Sequence, residues 1–390
     1  MLKSIHLKNF KSIKEQKLEL APITVLVGPN GCGKSSVLQA LGVLKGFVQN
    51  PNRGLNDLFN LHFVNLGSFK DVVYTHNVSS NIEIGVETIN ESVNLEFILQ
   101  LGKQSATTIK WKKPFEHEMQ ALITLPWSPK PDRKSFTYGG KKLTFVWDGL
   151  NAVVEPKTAE LSDIINLHKS ESQNMHILLS RRGFHSPLYQ IQKPSLPVTL
   201  AVTEAQVVSL LEDADIEEMV MTWTEEVFGV QVRAKVTPPN ITLVTRSRRF
   251  APKIVNEGLG LNQATYVFSI LATAKEGSLI AIEEPEISLH PKAQSKLANI
   301  FTEVAAMKKR ILFTTHSEHI VIALLTLVAK GKLLSEDLSI YSFEKTAYTS
   351  KAKKLKINEK GQIEGGIKDF FEHELSSSIE YMKALAQGSK

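Results

Sequence analysis

The feature that most constrains this chain is a glycine-rich segment that reads Gly28-Pro29-Asn30-Gly31-Cys32-Gly33-Lys34-Ser35. It has the G-x-x-x-x-G-K-S spacing of a phosphate-binding loop. An apolar, β-branched run over 23–27 precedes it, and a helical pattern follows it. A strand, a glycine-rich loop and a helix in this order direct backbone N–H groups and the positive end of the helix dipole toward a phosphate. The alternative is a glycine-rich turn that binds nothing.

The motif predicts a role for each of its polar residues. We expect Lys34 to reach the β- and γ-phosphates of a nucleotide and the Ser35 hydroxyl to bind Mg²⁺. The loop backbone, continued through Ser36, is expected to surround the phosphates. Cys32 lies at a variable position of the motif, where a small residue is tolerated. It is the only cysteine, so no intrachain disulfide can form, which favours a cytoplasmic location.

Two later strand patterns end in residues that could act on a nucleotide. The apolar run over 279–282 ends in Glu283 and Glu284, and the run over 311–313 leads to His316. Ligands of open α/β sheets bind at the carboxyl ends of the strands. We expect Glu283 to hold Mg²⁺, Glu284 to orient or deprotonate the attacking water, and His316 to hydrogen-bond the γ-phosphate. The alternatives are acids at an exposed strand end and a structural histidine.

Composition excludes some classes of protein. The 390 residues are 42% hydrophobic and 22% charged, which is typical of a globular chain. No apolar run is long enough to span a bilayer, so we expect no membrane partner. The net charge of +6 permits contact with nucleic acid. The basic clusters are either solvated faces or nucleic-acid contacts; they are Arg246, Arg248 and Arg249, and Lys351, Lys353 and Lys354.

The remaining patterns suggest how the chain is organised. Residues 2–20 alternate like two antiparallel strands, residues 72–150 are β-rich, and residues 158–230 have mostly helical spacing. A loop is predicted over 126–131 and a C-terminal helix over 367–385. No sustained heptads occur, so no long coiled-coil arm is expected.

Several of these segments resemble ABC-type ATPase heads of the SMC, RecF and OLD kind. The strand pair that contains residues 7–12 is followed by the glycine-rich loop with Asn30 and Gly31. This succession is similar to the start of those heads. Glu283 and Glu284, with the proline that follows, resemble the Walker B strand, although aspartate is more usual at position 283. The segment 287–292 resembles the D-loop, and His316 resembles the switch histidine.

Two further segments carry the resemblance with departures. Residues 256–263 look like the signature loop, in which Gly258, Gly260 and Asn262 would approach the nucleotide bound by a partner subunit. A serine is usual where this chain has Asn262. Residues 179–183 resemble a basic position found before the helical lobe, and a surface turn is the alternative. No glutamine can be assigned to the Q-loop.

The resemblance implies an α/β fold: an ABC-type P-loop ATPase head with an antiparallel β-layer and an inserted helical lobe. It divides the chain into a nucleotide-binding lobe (1–75), an inserted β-rich then helical region (76–250), a segment with the signature, Walker B, D-loop and switch histidine (251–350), and a C-terminal strand and helix (351–390). It also implies ATP and Mg²⁺ as cofactors, and a homo-oligomer in which ATP lies between two heads.

The resemblance predicts an ATPase that acts as a switch for a separate effector protein, as standalone prokaryotic members do in anti-phage defence. The alternative is a RecF-like DNA repair or maintenance ATPase that binds duplex DNA. A transporter subunit is disfavoured because the signature departs from Leu-Ser-Gly-Gly-Gln. The segment after His316 is too short for a Toprim nuclease, so we expect this chain not to cut nucleic acid by itself.

Overall fold

The computed structural model describes residues 1–61, 64–89, 94–113, 119–124, 131–138, 141–157, 166–192, 202–246 and 251–364. Its strands are β1 Leu2–Phe10, β2 Ile13–Glu19, β3 Ile23–Val27, β4 Ile82–Ile89, β5 Asn94–Leu101, β6 Ala106–Lys113, β7 Met119–Thr124, β8 Asp132–Tyr138, β9 Lys141–Trp147, β10 Ala152–Glu155, β11 Met175–Leu178, β12 Tyr189–Gln190, β13 Gln231–Thr237, β14 Asn240–Arg246, β15 Leu279–Glu283, β16 Arg310–Thr315, β17 Leu338–Lys345 and β18 Ser350–Leu355. Its helices are α1 Lys34–Gln49, α2 Phe69–Val72, α3 Leu167–Gln173, α4 Glu204–Ser209, α5 Ala214–Phe228, α6 Leu259–Thr273, α7 Pro291–Ala306 and α8 Glu318–Ala329.

One mixed sheet positions everything else. Its strand order is β11-β15-β16-β3-β17-β18-β2-β1-β4-β5-β6-β7. The first five strands in this order are parallel to one another. The last six, which are β2, β1, β4, β5, β6 and β7, form an antiparallel layer. The carboxyl ends of β3, β15 and β16 therefore meet at one edge. This arrangement confirms the predicted α/β fold with an antiparallel β-layer.

Helices cover both faces of the parallel half. Alternate side chains of a strand point to opposite faces, and β3 follows this rule. Leu26 joins the apolar cluster that contains Leu41 and Phe47 of α1. Val25 and Val27 join a second cluster that is built largely from α6, α7 and α8. Because β3 is buried along its whole length, the loop that follows it starts from a rigid support.

Two smaller sheets flank the main sheet. The sheet β10-β9-β8 directs Phe145 and Trp147 into the same cluster as α1, where Trp111 packs edge-on against Phe145 with ring centroids 4.3 Å apart. The sheet β12-β14-β13 leads into α6. The strand pair predicted for 2–20 is confirmed.

One organisational prediction was partly wrong. Residues 158–230 were expected to be mostly helical, but β11 and β12 lie within them, and β11 pairs in parallel with β15. A four-residue strand inside a parallel sheet has no period-2 alternation, so it cannot be distinguished from a helical segment by pattern. The predicted helix over 367–385, most of the predicted loop over 126–131, and Arg248 and Arg249 lie outside the described residues.

The described helices include none that is both long enough and apolar enough to cross a membrane.

Acid should destabilise this fold through a buried histidine. His168 stacks on Phe97 with ring centroids 4.9 Å apart, and its Nε2 donates to the Leu150 carbonyl oxygen at 2.9 Å. Burial lowers the pKa of His168 from 6.5 to about 4. The unfolded chain therefore binds the proton more readily, and stability present above pH 6.5 is lost as the pH falls toward 4. The loss amounts to about 3 kcal/mol of unfolding free energy.

The variant His168→Phe keeps the stacking and removes the titrating group. We expect its unfolding free energy, measured by urea denaturation, to fall less steeply with decreasing pH than that of the wild type. Equal slopes for His168→Phe and the wild type would contradict the prediction.

Candidate nucleotide site

The glycine-rich loop is held in a conformation that only glycine adopts easily. Gly28, Gly31 and Gly33 have φ angles of 140°, 72° and 99°. A Cβ on Gly28 would overlap the carbonyl oxygen of Phe343 in β17, and a Cβ on Gly33 would lie 2.9 Å from the Ser350 hydroxyl oxygen. The loop is thus pressed against the neighbouring strands, and α1 begins directly after it at Lys34.

A cavity of about 300 Å³ lies over this loop. It is lined by Lys11, Ser12, Asn30, Gly31, Cys32, Gly33, Lys34, Ser35, Ser36, Glu284 and His316. The structure therefore brings most of the predicted loop residues together with Glu284, predicted to act on the attacking water, and His316, predicted to hydrogen-bond the γ-phosphate. Gly28 and Pro29 do not line the cavity. The turn between β1 and β2 adds Lys11 and Ser12, to which the sequence analysis gave no role.

Lys34 and His316 are in direct contact. The Lys34 Nζ lies 3.0 Å from the His316 Nε2 and donates to the carbonyl oxygens of Gly28 and Pro29 at 2.7 and 2.9 Å. Burial lowers the pKa of Lys34. Burial, with the positive charge of Lys34, also lowers the pKa of His316. The imidazole is therefore neutral near pH 7, and its unprotonated Nε2 accepts the hydrogen bond from the ammonium group.

The two carboxylates stand at the end of β15, as the strand pattern predicts. Glu284 has a left-handed φ of 45°, and its backbone N–H donates to the Thr314 carbonyl oxygen at 3.0 Å. Its Oε1 lies 3.6 Å from the His316 Nε2. The Glu283 Oε2 accepts from the Ser180 backbone N–H at 3.2 Å. Thus Glu284 points into the cavity with His316, whereas Glu283 faces the loop after β11.

A third carboxylate, which the sequence analysis did not single out, supports His316. The buried Glu286 accepts through Oε1 from the Thr315 hydroxyl at 2.7 Å and from the His316 backbone N–H at 2.8 Å. Burial raises the pKa of Glu286. This carboxyl group fixes the end of β16, from which the imidazole projects. A carboxylate two residues after the acidic pair was the only signal available in the sequence.

The signature-like segment is placed differently from what was expected. Gly258 is exposed, but Gly260 packs so closely against the Ser288 carbonyl oxygen that a Cβ would overlap it. Asn262 is buried: its Oδ1 accepts from the Phe184 N–H at 2.7 Å, and its Nδ2 donates to the Phe184 carbonyl oxygen at 2.9 Å. This amide is therefore not exposed as a contact with a partner's phosphate requires. Its pairing with a distant backbone was not readable from the sequence.

Arg182 also has a position that the sequence left open. It is buried, its Nη1 donates to the Glu283 carbonyl oxygen at 2.6 Å, and its Nη2 donates to the Glu284 carbonyl oxygen at 2.7 Å. Burial lowers the pKa of Arg182 to about 10, so the guanidinium remains charged. The surface-turn alternative is therefore wrong for Arg182, whereas its neighbour Arg181 is exposed.

The donor set suits Mg²⁺ bound together with phosphates. No cluster of three or more His, Cys, Asp or Glu side chains that could hold a metal occurs among the described residues. Ser35 and Glu283 are hard oxygen donors. Glu283 is close enough to the cavity to raise the pKa of Lys11, against the larger lowering by burial. Mg²⁺ is usually bound by one or two protein oxygens, with substrate phosphates and water completing its shell. Ser35, which lines the cavity, fits that pattern, whereas the Glu283 carboxylate is bound by the Ser180 N–H and would have to leave it to reach an ion there.

The chain is similar in sequence to known proteins. A family model described as "AAA ATPase domain" matches residues 1–193 and 225–321. The chain is 24% identical over 344 residues to an OLD nuclease from Thermus scotoductus, covering 81% of this chain and 59% of that protein. It is 29% identical over 109 residues to the DNA replication and repair protein RecF from Gloeobacter violaceus, covering 28% of this chain and 25% of that one. The chain thus spans less than two thirds of either relative.

Among solved structures, the fold is similar to an SMC head bound to the C-winged helix domain of ScpA. The TM-score is 0.50 at 14% identity, and the match covers 91% of this chain and 98% of the SMC head. This likeness concerns the fold alone. Together with the family match it confirms the predicted resemblance: the chain belongs to the AAA ATPase domain family and is an ABC-type ATPase of the SMC, RecF and OLD kind.

Proposed function

We propose that this chain binds Mg-ATP in the cavity over the glycine-rich loop and hydrolyses it to ADP and phosphate. The observation that carries the proposal is the convergence of Lys34, Glu284 and His316 on that cavity. Bound Mg²⁺ would neutralise charge on the β- and γ-phosphates. Ser35 and Glu283 would hold the ion, and the backbone N–H groups from Gly31 to Ser36 would hold phosphate oxygens.

The residues at the cavity would share the chemistry as follows. The Lys34 ammonium would exchange its loop carbonyl partners for phosphate oxygens, which are stronger acceptors. Once Lys34 has moved to the phosphates, the His316 Nε2 would be free to carry the ring proton in the other tautomer and to donate it in a hydrogen bond to a γ-phosphate oxygen. Glu284 is the group able to orient that water and take its proton. Catalysis then rests mainly on positioning and charge stabilisation, as in phosphoryl transfer generally.

We propose further that two copies close around ATP. The exposed Gly258 and Leu259, at the N-terminus of α6, form a surface with free backbone N–H groups that could meet a nucleotide on a second copy. Asn262 is not part of this surface. Contacts to phosphate from the partner would come from the backbone at the start of α6.

The cycle of closing and opening would make the chain a cytoplasmic switch that controls a separate effector protein, in prokaryotic anti-phage defence. Similarity over four fifths of the chain to an OLD nuclease supports this choice. The similar SMC head was solved with a protein partner, the ScpA winged-helix domain, and an effector here would bind in a comparable way.

A second function is favoured by a different observation. The 29% identity to RecF over 109 residues supports a DNA repair or maintenance ATPase that binds duplex DNA. The exposed Lys351 and Lys353 of β18 are candidates for contacts to its phosphates. Binding of that kind would weaken steeply with salt.

The solution mass of Glu284→Gln distinguishes these proposals. With Mg-ATP, we expect this variant to form a stable dimer or larger assembly that the wild type forms only transiently, and Lys34→Ala should stay monomeric. A further species that requires duplex DNA would favour the RecF-like function. Constant monomer mass despite tight ATP binding would overturn the proposed ATP-closed dimer.

A further inference from the structure

The short segment 180–184, here called the 180–184 link, touches the site from outside the cavity. It leaves the end of β11, whose Leu178 pairs with Ile282 of β15. The link then contacts two elements that are far apart in the sequence: the end of β15 through Arg182 and the start of α6 through Phe184.

On the β15 side, the link holds the Glu283 carboxylate through the Ser180 N–H at 3.2 Å and the strand backbone through Arg182. Arg182 binds the carbonyl oxygens of Glu283 and Glu284, and also that of Leu179 at 2.8 Å. Glu284 has a left-handed backbone, which a non-glycine residue keeps only when its surroundings fix it. A planar guanidinium with two donors on consecutive carbonyl groups is suited to that task. Arg182 therefore fixes the direction in which the Glu284 side chain leaves the strand.

On the α6 side, the link is held by a matched pair of hydrogen bonds. The Asn262 amide binds both the N–H and the carbonyl oxygen of Phe184, and the Phe184 ring packs on Tyr266 with centroids 5.5 Å apart. A Cβ on Gly183 would lie 2.8 Å from the Asn262 Oδ1, so the link and the start of α6 are closely packed against each other. A displacement of the start of α6 must therefore move residues 183 and 184.

The hydrogen bonding of the link is incomplete on both sides. The Arg182 Nε is a buried donor and the Gln263 Oε1 a buried acceptor, and neither has a partner among the described residues. Arg182 precedes Gly183 in the chain, and the Gln263 side chain lies beside Gly183, with its Cγ 3.6 Å from a Cβ built there. Buried unpaired groups favour any rearrangement that pairs them.

We propose that the 180–184 link couples the start of α6 to Glu284, with Asn262 and Arg182 as positioning residues. In this arrangement Asn262 acts through the backbone of its own chain and not on a partner's phosphate. Engagement of the α6 N-terminus by a second copy shifts Phe184, and Arg182 transfers the shift to the backbone of Glu284. The inference rests on the proposed ATP-dependent dimer for its trigger, but the coupling itself exists in the single chain.

A double-mutant cycle tests the coupling. The variants are Asn262→Ala, Arg182→Gln and the two combined, with the exposed Asn52→Ala and Arg133→Gln, which lie outside the link and the signature-like segment, as matched controls. We expect each single variant to lower the ATPase kcat about tenfold with little change in KM. The double variant should be no slower than the slower single one, because both changes break the same link. Hydrogen exchange of residues 283–286 in the nucleotide-free protein should become faster in all three.

Two results would overturn the coupling: kcat losses that multiply to about a hundredfold in the double variant, or exchange at residues 283–286 that matches the controls. Arg182→Lys, which keeps the charge but loses the paired donors, should show the same exchange if Arg182→Gln fails to fold. If the wild type does not hydrolyse ATP, the proposed function fails, but the exchange measurement still decides whether Asn262 and Arg182 hold Glu284.

Discussion

Replacing Glu284 by glutamine is expected to lower the rate of ATP hydrolysis at least about 100-fold, the usual contribution of a positioned base. Glutamine has the same shape as glutamate and can keep the left-handed backbone that Arg182 and Thr314 hold. It cannot accept the proton of the attacking water. Because Lys34 and the loop backbone are the groups proposed to hold the phosphates, ATP affinity should stay within about threefold of the wild type.

Single-turnover kinetics and binding of a fluorescent ATP analogue separate the two effects. Glu276→Gln is the control, because Glu276 is an exposed glutamate before the other end of β15, paired with Lys308 at 3.1 Å. It should leave both quantities unchanged. A Glu284→Gln rate within threefold of the wild type would exclude this residue as the base and direct attention to Glu283.

Replacing Gly28 by alanine should have the largest effect on stability. The φ of 140° lies outside the region that residues with a Cβ occupy, and the new methyl group would overlap the Phe343 carbonyl oxygen. Backbone strain and overlap with a main-chain atom each cost about 1–3 kcal/mol, so we expect an unfolding free energy lower by about 2–6 kcal/mol. The variant should also lose ATP binding, because the loop can relieve the overlap only by moving away from β17.

Gly31→Ala is the matched control. Gly31 also has a left-handed φ, 72°, but nothing lies within 4 Å of a Cβ built there. Strain alone should cost about 1–2 kcal/mol. Thermal and urea unfolding of the two variants measure the difference, which isolates the contact with β17. Equal losses for Gly28→Ala and Gly31→Ala would show that this contact does not constrain the loop.

The elements with strong local signals were predictable. The buried strand before the loop, the helix after it, and the strands that carry Glu284 and His316 lie where the patterns place them. Their meeting at one edge follows from parallel pairing, since the carboxyl ends of neighbouring parallel strands lie side by side. The resemblance to ABC-type heads added the antiparallel layer, which the structure confirms.

The sequence by itself therefore determined the loop, the strands that lead to the candidate site residues, and the identity of Lys34, Glu284 and His316 as candidates. Each of these is encoded by neighbours in the chain. Only the tertiary structure decided that β11 lies beside β15, that Arg182 is buried against two carbonyl groups, and that Asn262 binds Phe184. These contacts join residues about 80 to 100 positions apart, and no local periodicity records such pairings.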